Sequence, residues 1–491
     1  MQWPTRQHMH YQGLFATLTR DLTSSAPRSI AVANRTILLP QRTLSSPMAG
    51  RTTHRESLHG WGRHPIVSAP VRHTANLLSG SRGATLSRGL GRAYGDAALP
   101  PTASVRPVVV TPQANRILSF DRESGLLTAE AGLALKDLLT VIAPLGWYTP
   151  VSPGTQYVTL GGMVASDIHG KNHHVDGCFG THVRALTLRI GTGEVVTVTP
   201  ESDPDVFWAT CGGMGLTGHI LDVTVQLASI PSPWIYETSD RYDSLEEVFH
   251  NLRKASAEWP MTVAWIDTSA RGARLGRGIV MRGRWATPDE APKHFPKPKG
   301  SITMPFSLPN GLMNPRTIAL ANQAFFLKHP KRHVKHVAHP SSFFHVLDSV
   351  GEWNRVFGSR GFTQYQCVMP SNLSAFHELL RRFQQLGGCS FVTVFKDCAE
   401  ANPGHLSFPQ KGTSIALDIP INEGTPRLIR ELNAMVVDHG GRIYLAKDAF
   451  TSEAMFRKMY PKLEAFMAIR RRLDPEQTLS SALSQRLMGD R

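Results

Sequence analysis

Residues 150–182, PVSPGTQYVTLGGMVASDIHGKNHHVDGCFGTH, hold Gly154, Gly161, Gly162, Gly170, Gly177 and Gly180 among small residues, with four histidines in the second half. Little here suits a hydrophobic core. Glycine admits positive φ and lets backbone N–H groups come close to a ligand, so the run suits a nest for phosphate oxygens. Two other stretches share this character, Ser87–Asp96 (SRGLGRAYGD) and Trp208–Ile220 (WATCGGMGLTGHI). One such loop would be read as a tight turn. Three in one chain imply a long anionic ligand such as a dinucleotide. The histidines 169, 173, 174 and 182 raise a metal reading as well. His169 and His173 have i, i+4 spacing, but a glycine-rich segment is a poor helix and HExxH is absent, so no metal is expected. His173 and His174 read as hydrogen-bonded structural residues.

The loops resemble the FAD-binding domain of the vanillyl-alcohol oxidase / p-cresol methylhydroxylase (PCMH-type) superfamily, and within it the decaprenylphosphoryl-ribose 2-oxidases, flavin halves of a sugar epimerase. The motifs that carry this are RGLGRAYGD (88–96), SPGTQYVTLGG (152–162), DIHGKNHH (167–174), CFGTHV (178–183), FWATCGGMGLTG (207–218), GEWNRVFG (351–358), QYQ (364–366) and YLAKD (444–448). They run through nearly the whole chain, from about Gly60 to Leu487, and DIHGKNHH and GEWNR are far more specific than a lone GxGxxG. The resemblance implies FAD and places Ser87, Arg88, Gly89, Leu90, Gly91, Arg92, Ala93, Tyr94, Gly95, Asp96 and Ala97 in a pyrophosphate loop. Many relatives attach the flavin through a histidine there. Arg92, Ala93 and Tyr94 stand in its place, so FAD is expected to be held non-covalently. By the same resemblance Gly154, Thr159, Leu160, Gly161 and Gly162 meet the phosphate and ribityl portion. Ser166, Asp167, Ile168 and His169 run alongside, with His169 near the isoalloxazine. Gly212, Gly213, Gly218 and Ile220 close the adenine side, and Tyr444 approaches from the C-terminal return.

For chemistry, the resemblance implies oxidation of the 2-hydroxyl of a polyprenyl-phosphoryl-β-D-ribofuranose to a ketone. A separate NAD(P)H-dependent short-chain reductase would complete the epimerisation to the arabinose form used in cell-envelope glycans. Such oxidation needs a base at the alcohol proton and a hydride path to the flavin. The resemblance points to Lys447, with His169 as the second catalytic candidate. A lysine at its reference pKa of ~10.4 is mostly protonated at neutral pH, so burial must lower it, or the ammonium steadies an alkoxide while another group takes the proton. Lys171, Asn354, Gln364, Gln366 and Lys396 map onto the substrate pocket, where the two lysines suit phosphate or sugar oxygens. Trp265 is placed to stack on sugar or lipid, although a buried strand tryptophan is the commoner role. Two rivals remain: an oxidase of free sugars, alditols or aldonolactones, and a flavin-binding scaffold without turnover.

Composition bounds these readings. A chain of 491 residues with 41% hydrophobic and 19% charged residues can bury sizeable cores, and its length favours two lobes. Five cysteines without a CxxC pair argue against a disulfide framework or zinc site and for a reducing compartment. No stretch approaches the ~18 apolar residues of a transmembrane helix. The net charge of +15 is concentrated, with 13 Lys+Arg against two acids between Arg271 and Pro340. That stretch lacks clear periodicity and reads as basic mobile loops. Without a nucleic-acid motif beside it, its function is read as attraction to an anionic membrane or phospholipid-like substrate. The expected location is cytoplasmic, peripheral on the inner membrane, with the periplasmic face as the alternative.

The elements that must position these residues read as α+β. Residues 1–50, with five arginines and one acid, form a flexible arm. They look like a transit peptide, or like a start placed too early, with Met48 the true one. A PCMH-type FAD-binding domain is expected over 51–232 and a mixed-sheet substrate (cap) domain over 233–441, with 271–340 as its mobile loops. A segment at 442–491 returns to complete the FAD lobe. VRALTLRIGTGEVVTVT at 183–199 alternates like a hairpin, and LALKDLLTVIAPLG carries a helix face. SLEEVFHNLRKASAEW, SAFHELLRRFQQLG and SEAMFRKMYPKLEAFMAIRRRLDP read as helices. Between Trp61 and Arg88 the chain is shorter than the family's first βαβ region needs, so that corner is expected to be reduced. Ala416 stands where close relatives carry cysteine, and Ala482 where the family carries an acid.

Overall fold

Alternating valines and threonines make the expected hairpin: Val183–Arg189 and Val195–Val198 pair antiparallel, and Gly193 turns between them in the left-handed region. The computed structural model describes residues 54–490 apart from 103, 298–299 and 331–332, so the arm expected over 1–50 lies outside the described residues. The hairpin belongs to a five-stranded sheet ordered Ile117–Phe120, Leu126–Glu130, His219–Gln226, Val183–Arg189, Val195–Val198. Its inward residues Leu127, Ala129, Leu186, Leu188, Val223 and Val225 pack on helices Leu135–Ile142 and Leu160–Ala165. Pro144 ends the first of these, and the chain continues as a 3-10 turn. A four-stranded sheet, His54–His59, Ile66–His73, Val108–Val110 and Leu86–Arg88, precedes it. The connecting helix there is only Leu77–Gly80, which is the reduced corner.

The second half builds an eight-stranded sheet in the order Val334–Ala338, Ile235–Tyr242, Gly278–Trp285, Met261–Ile266, Thr393–Cys398, Gly412–Pro420, Phe362–Met369, Arg442–Ile443. Every pairing in it is antiparallel, where a mixed sheet was expected. Strand alternation divides the sheet's residues into two sets. Ala264, Ile266, Tyr365, Cys367, Phe395, Ile415 and Leu417 join a core with helices Leu245–Glu258, Leu373–Gln385 and Thr425–Asp438. Val263, Trp265, Gln364, Gln366, Val394, Lys396 and Ala416, one residue out of phase, line a cavity.

One expectation is corrected in part. The basic stretch 271–340 is not loop throughout: Gly278–Trp285 is a central strand, Val334–Ala338 an edge strand, and Pro315–Lys328 a helix. Asn314 caps that helix with its side chain, in a capping box with Thr317. The expected C-terminal helical segment is helical, as two helices, Glu453–Met459 and Leu463–Leu473, because Pro461 cannot donate the bond a continuous helix needs. Beyond them the chain returns to the first half, with Ser480 N–H donating to Thr85 O (3.1 Å) and Ala482 N–H to Leu99 O (2.8 Å).

Candidate active site

A cavity of about 700 Å³ collects residues from every motif segment except CFGTHV at 178–183. Its first end is walled by Ser87, Gly89, Leu90, Gly91, Arg92, Ala93, Tyr94 and Ala97, by Gly154, Thr159, Gly161, Gly162, Ser166 and Ile168, and by Gly218 and Ile220. Here the wall is mostly backbone. Thr159 accepts from Gly162 N–H and starts the short helix, and a Cβ on Gly89 would sit 2.4 Å from Thr159 Oγ1. Gly91 has φ +66°, a region open to glycine at no steric cost. The N–H groups of residues 89–93 belong to no strand and donate to no other backbone carbonyl among the described residues.

Side chains make the other end. Lys447 Nζ lies 3.6 Å from the centroid of the Tyr94 ring. Burial pulls the Lys447 ammonium down to about 7, against the nearby Asp418 carboxylate, which favours the charged form, and with Lys396, which opposes it. Asp418 is itself pushed up to about 7 by burial, offset by a hydrogen bond from Gln364 and the charge of Lys447. Burial is the larger cause for both members, so both exchange protons near neutrality. Gln364 Nε2 donates to Asp418 Oδ1 (2.6 Å), and the Gln364 side chain also meets the Tyr94 hydroxyl. Across the floor, Lys396 is lowered by burial, and Lys171 is brought down to about 8 by burial despite Glu237. Lys171 Nζ donates to Phe343 O and lies over the Phe343 ring at 4.1 Å.

His169 joins the two ends. Its Nε2 lies 2.9 Å from Gln366 Nε2, and its ring contacts Tyr444 (5.1 Å between centroids) and Phe408 (5.3 Å). Burial, then Lys396, His173 and Lys447, hold its pKa well below the ordinary imidazole value. The ring is therefore neutral. If Gln366 donates to Nε2, the ring proton sits on Nδ1, which has no partner among the described residues. Tyr444 lines the cavity and its hydroxyl donates to Ser166 O (2.8 Å). Trp265 also lines it, with its indole N–H donating to Phe391 O (2.9 Å) and its ring packed on Phe325. The other histidines have structural partners: His173 Nδ1 accepts from Ala399 N–H (3.2 Å), and His174 Nε2 meets Trp259 O (2.8 Å).

Several expected contact residues lie behind the wall. Arg88 points away, donating to His59 O (2.6 Å) and Ala98 O (3.0 Å), so it braces the loop. Gly95 presses on the 447–449 segment, where a Cβ would come 1.7 Å from Asp448 O. Asp96 is buried against Arg486, which also pairs with Asp448 (2.9 Å). Leu160 is core, and Asp167 is spent accepting from Gly180 N–H (2.9 Å), Asn402 (2.6 Å) and Ser407 (2.5 Å). Gly212 and Gly213 shape a turn whose N–H groups bond Val164 O (3.0 Å) and Thr210 O (3.1 Å). Asn354 is buried with its amide on Trp61 O (3.0 Å). Apart from Gly95, held by close packing, and the Asn354 amide oxygen, which has no partner among the described residues, these groups are already engaged within the protein.

Residues 71–199 match the model of an FAD binding domain, and residues 417–487 match that of D-arabinono-1,4-lactone oxidase. The chain is 37% identical to the decaprenylphosphoryl-β-D-ribose oxidase of Mycolicibacterium smegmatis, over 89% of this chain and 98% of that protein. The chain belongs to this oxidase family. It is also 31% identical to an uncharacterized protein in the mprA 5' region of Streptomyces coelicolor, over 72% of this chain and all of that one. To the L-gulonolactone oxidase of Mus musculus it is 26% identical, over 74% of this chain and 80% of the other. It is an FAD-dependent oxidoreductase of α+β fold.

The glycine-walled end fits the family's cofactor. A dinucleotide pyrophosphate needs close backbone approach and donors without partners, and residues 89–93 offer both. Arg92 lies over Trp61 at 3.8 Å with its Nε unpaired among the described residues, so it adds charge at that end. Two residues that brace the site were not marked by the motifs. Asp418 left a signal, as the single acid inside the apolar strand SIALDIP. Asp348 left none; it accepts from Thr155 Oγ1 (2.7 Å) and Gln156 N–H (2.8 Å), fixing the 152–157 loop from the cap side.

Proposed function

We propose that this chain oxidises the 2-hydroxyl of a polyprenyl-phosphoryl-β-D-ribofuranose to the 2-keto sugar with non-covalently held FAD. The observation that carries the reading is the buried lysine end directly beside the glycine-walled one. Bound FAD supplies the hydride acceptor. Above pH ~7 Lys447 is largely neutral and takes the hydroxyl proton. Gln364 and Gln366 orient the sugar, the first held by Asp418 and the second by uncharged His169. Lys396 and Lys171 meet the phosphate. Arg92, Ala93 and Tyr94 offer no attachment histidine, so acid should release all the FAD intact; flavin remaining with the precipitated chain contradicts this.

A separate NAD(P)H-dependent reductase then acts on the keto sugar, and the oxidase works in peripheral contact with the inner membrane. No helix of the described residues is long and apolar enough to cross a membrane. A second reading, oxidation of a free sugar or aldonolactone, is favoured by the match at 417–487. Anaerobic mixing with prenyl-phosphoryl ribose, free ribose and an aldonolactone separates the readings. Bleaching of the flavin by the prenyl-phosphoryl sugar alone supports the first, and bleaching by the free compounds alone supports the second.

A further inference from the structure

Nine of the seventeen exposed large apolar side chains among the described residues fall between 295 and 350. Apolar exposure is thus gathered in one segment rather than scattered as on an ordinary surface. The helix Pro315–Lys328 explains much of it. Its inward face carries Ile318, Asn322 and Phe326, all buried. Leu320, Ala324 and Leu327, at i, i+4 and i+7, are exposed, with Leu320 at 74% and Leu327 at 60%. A helix apolar on both sides shows no amphipathic period, which is why the sequence did not mark it. The neighbouring Phe325 lines the cavity, together with Thr303 and Val350 of the small parallel pair Ile302–Thr303 and Val350–Gly351. Ile302, which alternates with Thr303, is 80% exposed. The apolar surface therefore belongs to the elements that wall this part of the cavity. Exposed Arg316 and Lys328 flank the helix, and Lys335 lies on the sheet's edge strand. None of the three forms an ion pair among the described residues.

We propose that the outward face of helix 315–328, with Ile302 and the flanking basic residues, docks on an anionic lipid bilayer so that the cavity opens onto the membrane surface. The proposal rests on the prenyl-phosphate reading, which requires a substrate whose chain stays in lipid while its sugar enters the protein. Apolar side chains enter the acyl boundary while Arg316, Lys328 and Lys335 meet phosphate headgroups. A second copy of the chain fits less well, because a two-fold contact on this helix would bring like charges together.

Co-sedimentation of the FAD-loaded full chain tests this, using phosphatidylcholine vesicles and equimolar phosphatidylcholine–phosphatidylglycerol vesicles. Wild type should bind the mixed vesicles, more weakly in high salt, and bind the neutral ones little. Leu320→Glu with Leu327→Glu should weaken binding ~10-fold or more, with flavin content unchanged. Should that pair impair folding, Leu320→Gln with Leu327→Gln makes the same test. Arg316→Glu with Lys328→Glu should remove the preference for anionic lipid. Wild type binding neither vesicle, or apolar variants binding as wild type does, would overturn the proposal, as would a dimer that the variants dissociate. Vesicle binding needs no turnover, so its failure is separate from failure of substrate oxidation.

Discussion

At one end of the cavity the walls are backbone, from glycine loops at 89–94, 154–162 and 218; at the other they are long polar side chains on strands far apart in sequence. The first end works by leaving room. A Cβ on Gly89 or Gly161 would strike a neighbour (2.4 Å to Thr159 Oγ1, 2.9 Å to Ala131 Cβ), so these positions can hold little but glycine. The second end works by removing water. Burial is the largest cause that brings Lys447 from 10.5 to about 7, with Lys396 acting in the same sense, and Asp418 from 3.8 to about 7 against Gln364 and Lys447. Binding and chemistry are therefore built from different resources, and substitutions should separate them.

Lys447→Met should break the chemical end most. Reduction of the flavin by substrate should slow ~10²-fold or more, the scale for losing a positioned acid–base group. FAD content should stay near wild type, and dithionite should still bleach the flavin at once. Reduction at the wild-type rate would make Lys447 a bystander and His169 the next candidate.

At the glycine end, Gly154→Ala is the cleaner probe, because an added Cβ there meets no protein atom within 4 Å. Apoprotein stability should change by less than ~0.5 kcal/mol, as for an uncommitted site. FAD affinity should fall ~10-fold if the cofactor passes this position, a loss of ~1.4 kcal/mol. Flavin fluorescence titration and a thermal melt read the two quantities apart; unchanged affinity would place the cofactor elsewhere along the wall.

The pH dependence sharpens the comparison further. Lys447 must lose its proton to act as base, so the rate of flavin reduction should rise with pH to a plateau above about 7. The Asp418 carboxylate supports the Lys447 ammonium, so Asp418→Asn should lower the lysine's pKa and move that limb to lower pH by ~1 unit, equivalent to ~1.4 kcal/mol. FAD binding should not follow the shift. A stationary limb would show that another group controls the rate.

These two ends also differ in how much the sequence disclosed. Glycine loops are local patterns, so the cradle was legible, although the motifs did not tell wall from support. Arg88, Asp96 and Asp167 sit in cofactor-like strings yet spend their charges on His59 O, Arg486 and the Asn402–Ser407 pair. The resemblance placed Gln364 and Gln366 in the pocket, but nothing local showed that Asp418 from another strand would meet Gln364. Residues 271–340 lacked periodicity because the helix at 315–328 is apolar outside as well as inside. Sheet pairing at 278–285 and the Asn314 cap, not a sequence period, give that region its order.

If the lysine end takes the 2-hydroxyl proton, bound FAD accepts the hydride and the phosphate anchors the substrate, then removing that hydroxyl must stop flavin reduction without stopping binding. Anaerobic stopped-flow mixing of the FAD-loaded chain with a prenyl-phosphoryl ribose and with its 2-deoxy counterpart tests it most directly. Full loss of the oxidised flavin absorbance is expected with the first and none with the second, although the 2-deoxy compound still binds and competes. Equal bleaching by both would contradict it, since the oxidised carbon would then not be the one bearing the 2-hydroxyl.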